Sequence, residues 1–298
     1  MTTFAVSGYA SLDHAVAIDR APRPDRTSVV RDRLSPTWPD QGGCAPRIAR
    51  VLAASGVGTE LISWFGDDAD GVAYLADLRA EGVGLKGVTV GRGARTACSW
   101  LMYDPDGGTT CVYDPGDVVP HGLDTVQSDI VAAARWAVLT VGPQSANRDL
   151  IAAARERTRL VFAVKADADA FPADLVEACV EQAALISFSR GERAFLEDAV
   201  GTDGLLEAGR RSVLVETHGT DGVVLTVGGE HHRLPVHPVQ VRDTTGAGDR
   251  LLATALAELA GARAWPPPPR HAVSAVTSGI EAAERFLQLH ARGMRTEP

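Results

Sequence analysis

The residues best suited to do chemistry lie near the C-terminal end of the sequence. Residues 243–249 read Asp-Thr-Thr-Gly-Ala-Gly-Asp, and an apolar run suited to a helix follows over residues 251–259. A glycine-rich turn that opens a helix presents free backbone N–H groups at the positive end of the helix dipole, and these bind phosphate oxygens. Asp249 would stand at the mouth of that site, where it could take a proton from a hydroxyl. The spacing therefore predicts phosphoryl transfer to an alcohol.

Other stretches of the chain share this chemistry and carry a family resemblance. In chain order they are Asp13, Gly42-Gly43 with the helical run 49–56, Gly66-Asp67-Asp68 with Gly71, and residues 217–222, which read Thr-His-Gly-Thr-Asp-Gly. A lone Gly-Ala-Gly would fit a plain turn before a helix. The whole set, with residues 243–249, resembles the signatures of the ribokinase-like (PfkB) family of sugar and nucleoside kinases in order and spacing.

The resemblance implies a definite architecture. It implies an α/β fold with three layers, α/β/α, a mostly parallel central sheet and a small β-lid. It also implies a single ribokinase-like kinase domain over residues 1–298, with lid segments inserted at about 14–32 and 96–113.

The alternation of apolar and helical stretches predicts the same fold class. Buried apolar strands that alternate with amphipathic helices are typical of βαβ units and a mostly parallel sheet. The predicted strands cover residues 4–7, 59–64, 136–140, 160–164, 185–188, 212–216 and 222–227. The predicted helices cover residues 46–54, 72–81, 146–157, 173–182 and 192–198.

Two extended segments, residues 15–31 and 96–113, interrupt this alternation. The second folds over Asp-Pro-Asp-Gly-Gly at 104–108, which is a good hairpin turn. A surface hairpin is one interpretation, and the family's lid over the sugar is the other. Trp100 and Tyr113 give the hairpin an apolar content that needs a cover, which a homodimer formed through the lids would supply.

The resemblance assigns roles to the residues of the first motif. Asp249 would be the general base that accepts the proton of the acceptor hydroxyl as the γ-phosphoryl group leaves ATP. The backbone amides of Gly246, Ala247 and Gly248 would form the anion hole for the transferred group, since a side chain at either glycine would block the approach of a phosphate.

A cation is also implied at the start of the same motif. Asp243 and Thr245 resemble positions that help hold a monovalent cation, such as K⁺, in many relatives. The alternative for Asp243 is a turn cap made by its own side chain.

The nucleotide and its metal are assigned to two other stretches. Thr217, Gly219 and Gly222 would line the path of the ATP phosphates and ribose, although a strand–turn–strand connection needs the same pattern. Glu192 would bind Mg²⁺ directly or through water. Ser189 stands where relatives place asparagine, and it could equally form a capping box with Glu192. The adenine pocket is expected around residues 271–279.

The acceptor site is assigned to Asp13, Gly42, Gly43 and Arg47. The carboxylate would accept hydrogen bonds from sugar hydroxyls, and the glycines would let the backbone approach. Arg47 stands where related sugar kinases place asparagine. A guanidinium suits a carboxylate or phosphate on the acceptor, but it could instead pair with Asp13 or Asp40, or point to solvent.

Three functions remain open from the sequence. The first is an ATP-dependent kinase acting on a hydroxyl, in particular a hydroxymethyl group, of a sugar or sugar-like molecule. The second is a nucleoside kinase of the same family, for which Trp38 or Trp64 would supply an aromatic slot for the base. The third is a catalytically weakened sugar- or nucleotide-binding regulator, suggested by three departures from the family pattern at Arg47, Ser189 and Arg250. Arg250, which follows the catalytic aspartate, is expected to be exposed.

Composition limits the partners and the compartment. The net charge is −9 over 298 residues, which argues against a nucleic acid as partner. No apolar run approaches the length of a membrane span. The four cysteines are scattered, without the close pairs of a zinc site, and are expected to be reduced. The sequence therefore predicts a cytoplasmic protein.

Overall fold

The computed structural model describes residues 3–35, 37–241 and 243–293 of the chain. Its centre is a nine-stranded sheet with the order β14-β13-β12-β11-β10-β9-β1-β5-β6. These strands are β1 Phe4–Ser7, β5 Thr59–Gly66, β6 Gly84–Gly91, β9 Trp136–Leu139, β10 Arg159–Ala163, β11 Ala183–Ser189, β12 Val213–Thr217, β13 Val223–Val227 and β14 Glu230–Leu234. Seven of them, from β12 to β6, pair in parallel, while β13 and β14 add an antiparallel edge.

Helices cover both faces of this sheet because its central strands are apolar on both sides. In β1, Phe4 and Val6 belong to one core cluster and Ala5 to the other. The first cluster receives α1 Cys44–Ala54, α2 Ala69–Ala80, α7 Ala247–Leu259 and α8 Pro269–Gly293; the second receives α3 Thr125–Ala133, α4 Gln144–Ala153, α5 Ala173–Gln182 and α6 Arg193–Arg211. The predicted three-layer α/β/α class is confirmed.

A second, mixed sheet forms the small layer that was predicted as a lid. It has the order β3-β2-β7-β8, with β4 paired to β2. Its strands are β2 Ser11–Ile18, β3 Val30–Arg33, β4 Asp40–Gly42, β7 Cys98–Tyr103 and β8 Thr109–Asp114. The strands β2 and β7 run in parallel, and the other pairs are antiparallel.

Two strands that sequence reasoning missed lack a strong apolar pattern. The strand β6 carries four glycine or lysine residues in Gly-Leu-Lys-Gly-Val-Thr-Val-Gly, and β14 reads Glu-His-His-Arg-Leu. The helix predicted over 192–198 extends to Arg211, across a break at Gly201, whose φ is +70°. Among the described residues, no helix is both long and apolar enough to cross a membrane.

Candidate active site

The N-terminus of α7 is built by a left-handed turn. Gly246 precedes the helix with φ +84°, a conformation that L side chains rarely adopt. Ala247 N–H donates to Thr244 O at 3.1 Å, so one of the three predicted anion-hole amides is already engaged within the turn. A Cβ added to Gly248 would meet no atom within 4 Å, so open space lies in front of this glycine. The turn therefore leaves room for a phosphate beside Gly248.

Asp249 lies in the first turn of α7 and is partly buried. Burial raises the pKa of its carboxyl group, and the charges of Arg47 and Lys165 and a hydrogen bond from the Cys44 thiol oppose that rise. The Cys44 thiol is held protonated, because burial and the neighbouring carboxylate raise its pKa. A carboxylate with a raised pKa is a better proton acceptor than an ordinary one.

Lys165 is a residue that sequence reasoning missed. It follows β10 at the carboxyl edge of the parallel strands, is exposed, and influences the pKa of Asp249 and of Cys111 in the small sheet. Ligands of open α/β sheets bind outside the carboxyl ends of the strands. Its position directly after a predicted strand was the signal in the sequence.

The predicted acceptor residues meet where the small sheet joins α1. Asp13 on β2 is buried and accepts a hydrogen bond from Ser11 Oγ at 2.6 Å and another from Arg47 Nη2 at 2.8 Å. A Cβ at Gly42 would lie 2.0 Å from Asp13 Oδ2, so only glycine fits beneath this carboxylate. Gly43, with φ +91°, directly precedes α1.

Arg47 lies between the predicted acceptor residues and the glycine turn before α7. Its Cδ atom lies 3.2 Å from the position of a Cβ on Gly246, while its Nη2 atom bonds Asp13. Burial alone would lower the pKa of Arg47, but the carboxylates of Asp13 and Asp249 outweigh burial and raise it. Of the alternatives left open by the sequence, the pairing with Asp13 is the one observed, and it keeps the guanidinium inside the site.

Asp243 and Thr245 form a network with the small sheet. Asp243 Oδ1 accepts a hydrogen bond from Thr245 N at 2.8 Å and another from Tyr103 Oη at 2.7 Å, and Tyr103 Oη also lies 2.8 Å from Thr245 Oγ1. Asp243 is therefore the turn cap that was one of its two predicted roles. Tyr103, on β7, ties the small sheet to the turn before α7.

The surroundings of Asp243 and Thr245 do not fit a monovalent cation. Three arginines, Arg47, Arg50 and Arg250, line the adjoining cavity of about 240 Å³. Positive side chains repel a cation, and two of the side-chain oxygens that would bind it, Asp243 Oδ1 and Thr245 Oγ1, are already in hydrogen-bond contact with Tyr103. No catalytic step is therefore assigned to K⁺.

Arg250 is not exposed as expected. It is partly buried, and its guanidinium carbon lies 4.8 Å from the centre of the Phe286 ring. Burial lowers the pKa of Arg250.

Ser189 and Glu192 form the predicted capping box at the end of β11. Ser189 N and Ser189 Oγ donate to Glu192 Oε2 at 2.8 and 2.9 Å. Ser189 pairs with Thr217 across neighbouring strands, so Glu192 lies at the same sheet edge as the predicted phosphate path. No cluster of three or more metal-binding side chains occurs among the described residues. A single carboxylate that acts beside phosphates and waters is compatible with Mg²⁺.

A cavity of about 270 Å³ extends from the N-terminus of α7 to α8. Thr217, Gly219 and Gly222 line it, as predicted for a nucleotide site. Its wall on α8 is formed by Ile280, Ala283, Glu284 and Leu287, which follow the stretch 271–279 where the adenine pocket is expected.

The aromatic residues proposed for a nucleoside base do not reach the acceptor residues. Trp64 is buried beneath the central sheet. Trp38 packs against His14, which pairs with Trp100 on the face of the small sheet opposite to that of Asp13. Tyr9 and Tyr113, with ring centres 5.6 Å apart, are the aromatic pair nearer to the site.

Comparison with known proteins gives one family. The chain matches the pfkB family carbohydrate kinases over residues 8–272. It is 31% identical to the ATP-dependent ribose-1-phosphate kinase of Halopiger xanaduensis, over 83% of this chain and 81% of that protein.

Solved structures share the fold at lower identity. The nucleoside kinase of Methanocaldococcus jannaschii superposes with a TM-score of 0.77 at 17% identity, covering 97% of this chain and 92% of that one. The ribokinase of Cryptococcus neoformans in complex with ADP gives a TM-score of 0.76 at 20% identity, covering 98% and 99%. The family match covers most of the chain, and the protein therefore belongs to the PfkB family of carbohydrate kinases, ATP-dependent phosphotransferases that act on a sugar or a nucleoside.

Proposed function

We propose that the protein transfers the γ-phosphoryl group of ATP to a hydroxymethyl group of a sugar that also carries an anionic group. The observation that carries this proposal is the position of Arg47, whose partly buried side chain lies between Asp13 and the turn at Gly246. A charge held there by the fold suits a carboxylate or phosphate on the acceptor.

In this mechanism Asp249 is the general base. It receives the proton of the acceptor hydroxyl as the oxygen attacks the γ-phosphorus and the bond to ADP breaks. The amides at the start of α7, with the open space in front of Gly248, stabilise the charge on the transferred group. Burial raises the pKa of Asp249, which favours proton acceptance over an inert, strongly ionised carboxylate.

Glu192 is the residue that we propose to hold Mg²⁺ through water. The metal would neutralise charge on the ATP phosphates. Glu192 Oε2 is engaged by Ser189, and this bond orients the carboxylate toward the sheet edge that Thr217 also lines.

The acceptor class is supported by a relative whose name specifies a sugar phosphate, the ribose-1-phosphate kinase. In such an acceptor the reacting hydroxyl and the phosphate lie at opposite ends of the sugar. Asp249 would face the hydroxyl, and Arg47 or Lys165 would face the anion. The charge of Lys165 lowers the pKa of Asp249, so its side chain lies near the reacting end of the site.

A nucleoside acceptor is the second candidate. Tyr9 and Tyr113 form a tilted pair that could stack on a base, and Tyr113 lies on β8 of the small sheet. A regulatory protein without activity is disfavoured, because Asp249 and the glycine turn are intact.

We also propose that residues 1–298 form a single kinase domain in which the small sheet covers the acceptor, and that a second copy of the chain covers the outer face of that sheet. Trp100 is 44% exposed and Val112 is 54% exposed on this face. Sedimentation of the wild type and of Trp100→Lys measures the oligomeric state directly. A dimer that Trp100→Lys dissociates is expected, and a wild-type monomer would contradict it.

The test of the proposed function is a panel of neutral sugars, sugar acids, sugar phosphates and nucleosides assayed for ADP formation. An anionic sugar is expected to give the highest kcat/KM. Arg47→Gln should then raise the acceptor KM about tenfold or more while leaving the KM for ATP nearly unchanged, because a charge-assisted contact is lost.

The control for Arg47→Gln is Arg47→Lys, which keeps a positive charge next to Asp13. Arg47→Gln leaves Asp13 buried without its ionic partner, which destabilises the fold, so thermal melting accompanies the kinetics. If Arg47→Gln has a high acceptor KM at a temperature where it is folded, and Arg47→Lys restores part of the KM, the loss is one of binding. A neutral best acceptor with kinetics unaffected by Arg47→Gln would refute the anionic acceptor.

A further inference from the structure

The nucleotide cavity contains an unexpected charge. Among the described residues that line it, Glu284 is the one carboxylate, and its side chain is only 14% exposed. The surrounding wall is largely apolar, formed by Val223, Val236, Pro238, Val239, Leu251, Ile280, Ala283 and Leu287. An ionised group in such a wall is costly unless it has a hydrogen-bonding partner.

The position of Glu284 places it beside the base rather than beside the phosphates. Phosphates belong at the N-terminus of α7, where Ala247 and Gly248 line the cavity. The base must then occupy the apolar part between the loop 236–239 and α8. Ile280, Glu284 and Leu287 are spaced so that they share one face of α8, and that face lines the cavity.

The protein itself fixes the orientation of this carboxylate. His237 N–H donates to Glu284 Oε1 at 2.5 Å, and His237 Nδ1 lies 3.3 Å from Oε2. The imidazole is 90% exposed, so it does not fill the cavity. Each carboxylate oxygen can accept a second hydrogen bond, and capacity for a ligand donor therefore remains.

We propose that Glu284 selects the base of the phosphoryl donor by accepting a hydrogen bond from the exocyclic amino group at position 6 of adenine. A purine with a keto oxygen at position 6 would present an acceptor to the carboxylate. Two acceptors repel, and sites built to bind an N–H group discriminate strongly against analogues that lack it.

The test compares the Kd values of ADP and IDP, measured by calorimetry in the presence of Mg²⁺. The two nucleotides differ at the 6-substituent of the base, and the measurement needs no acceptor. Failure of the proposed acceptor class would therefore leave this result untouched. The wild type is expected to bind ADP about tenfold or more tightly than IDP, since one charge-assisted hydrogen bond is at stake.

Glu284→Gln is expected to abolish this preference. Its amide oxygen can keep the bond from His237 N–H, and its NH₂ group can donate to a keto oxygen. The matched control is Glu281→Gln, which removes an exposed carboxylate one turn earlier on α8 and should preserve the ratio.

Two results would overturn the proposal. One is equal binding of ADP and IDP by the wild type, which requires no variant. The other is an equal loss of both affinities in Glu284→Gln, which would mean that Glu284 only anchors the loop around His237.

Discussion

The donor end and the acceptor end of the proposed active site are built by different parts of the polypeptide. At the donor end, the site is formed mainly by the backbone: Gly246 makes a left-handed turn, and the space in front of Gly248 is open. At the acceptor end, side chains from distant segments meet, with Asp13 bonded by Ser11 and by Arg47. The first depends on local sequence, and the second depends on the tertiary fold.

This difference has a consequence for how each end responds to substitution. A backbone site tolerates few residue types, because the conformation itself excludes side chains. A side-chain site can be rebuilt by exchanging one residue, as Arg47 illustrates at a position where related sugar kinases place asparagine. The donor end is therefore expected to be the constant part of the enzyme, and the acceptor end the part that sets its specificity.

The largest effect is expected at the residue that serves both ends. Asp249→Asn should lower kcat by a factor of about 10² to 10⁴, because a general base is removed, and leave the Kd of ADP nearly unchanged. Asp129→Asn, an exposed position on α3, is the control and should keep wild-type turnover. Turnover of Asp249→Asn close to that of the wild type would remove Asp249 from the mechanism.

The raised pKa of Asp249 predicts how stability and turnover depend on pH. Burial raises the pKa of Asp249 above its unfolded value, so the ionised form is disfavoured in the folded protein. The protonated carboxyl group of Asp249 therefore contributes to the free energy of unfolding at low pH. This contribution is lost as the pH rises through the pKa that Asp249 has in the folded protein. At neutral pH, Asp249→Asn should melt at the same temperature as the wild type or higher, while wild-type kcat should fall as acidification protonates the base.

The local structure of residues 243–249 was predicted well from the sequence, whereas the contacts around Asp13 were predicted only in part. The motif over residues 243–249 reports a local conformation, and the structure has that turn and helix. The capping box of Ser189 with Glu192 is equally local. By contrast, Lys165 and Tyr103 were missed, because their places near Asp249 and Asp243 depend on strands that pair far along the chain.

The apolar character of an aromatic residue does not indicate which way its side chain points. Trp38 and Trp64 were selected as large aromatic residues, but one packs on the outer side of the small sheet and the other beneath the central sheet. Residue type gives no information about the face of a sheet until the register is known. The aromatic pair near the acceptor, Tyr9 and Tyr113, joins two segments about a hundred residues apart.

The two glycines of the turn are expected to respond differently to a methyl side chain. Gly248→Ala adds a Cβ that meets no protein atom, so the melting temperature should stay within about 2 °C while kcat/KM for ATP falls about tenfold. Gly246→Ala should instead destabilise the fold by about 1–2 kcal/mol, because φ is +84° and Arg47 Cδ lies 3.2 Å away. Thermal melting and steady-state kinetics on the two variants separate the effects.

The opposite pattern would contradict this view of the turn. If Gly248→Ala lowered the melting temperature and Gly246→Ala did not, the open space in front of Gly248 would not be a ligand site. Equal kinetic losses without any change in melting temperature would mean that both glycines contact the nucleotide.

The smallest effect is expected where the two ends are joined. Tyr103 Oη bonds Asp243 and Thr245, and burial raises the pKa of this phenol, so it remains an O–H donor over the working pH range. Tyr103→Phe should cost about 1 kcal/mol of stability, because Asp243 keeps only its bond from Thr245 N. The acceptor KM should rise about threefold to fivefold and the KM for ATP should not change, because we propose that the small sheet covers the acceptor and not the nucleotide. Thr109→Ala, which removes an exposed hydroxyl paired with Tyr103 in the same sheet, is the control. A parallel rise in both KM values would show that Tyr103 holds the whole turn rather than the contact between sheet and acceptor.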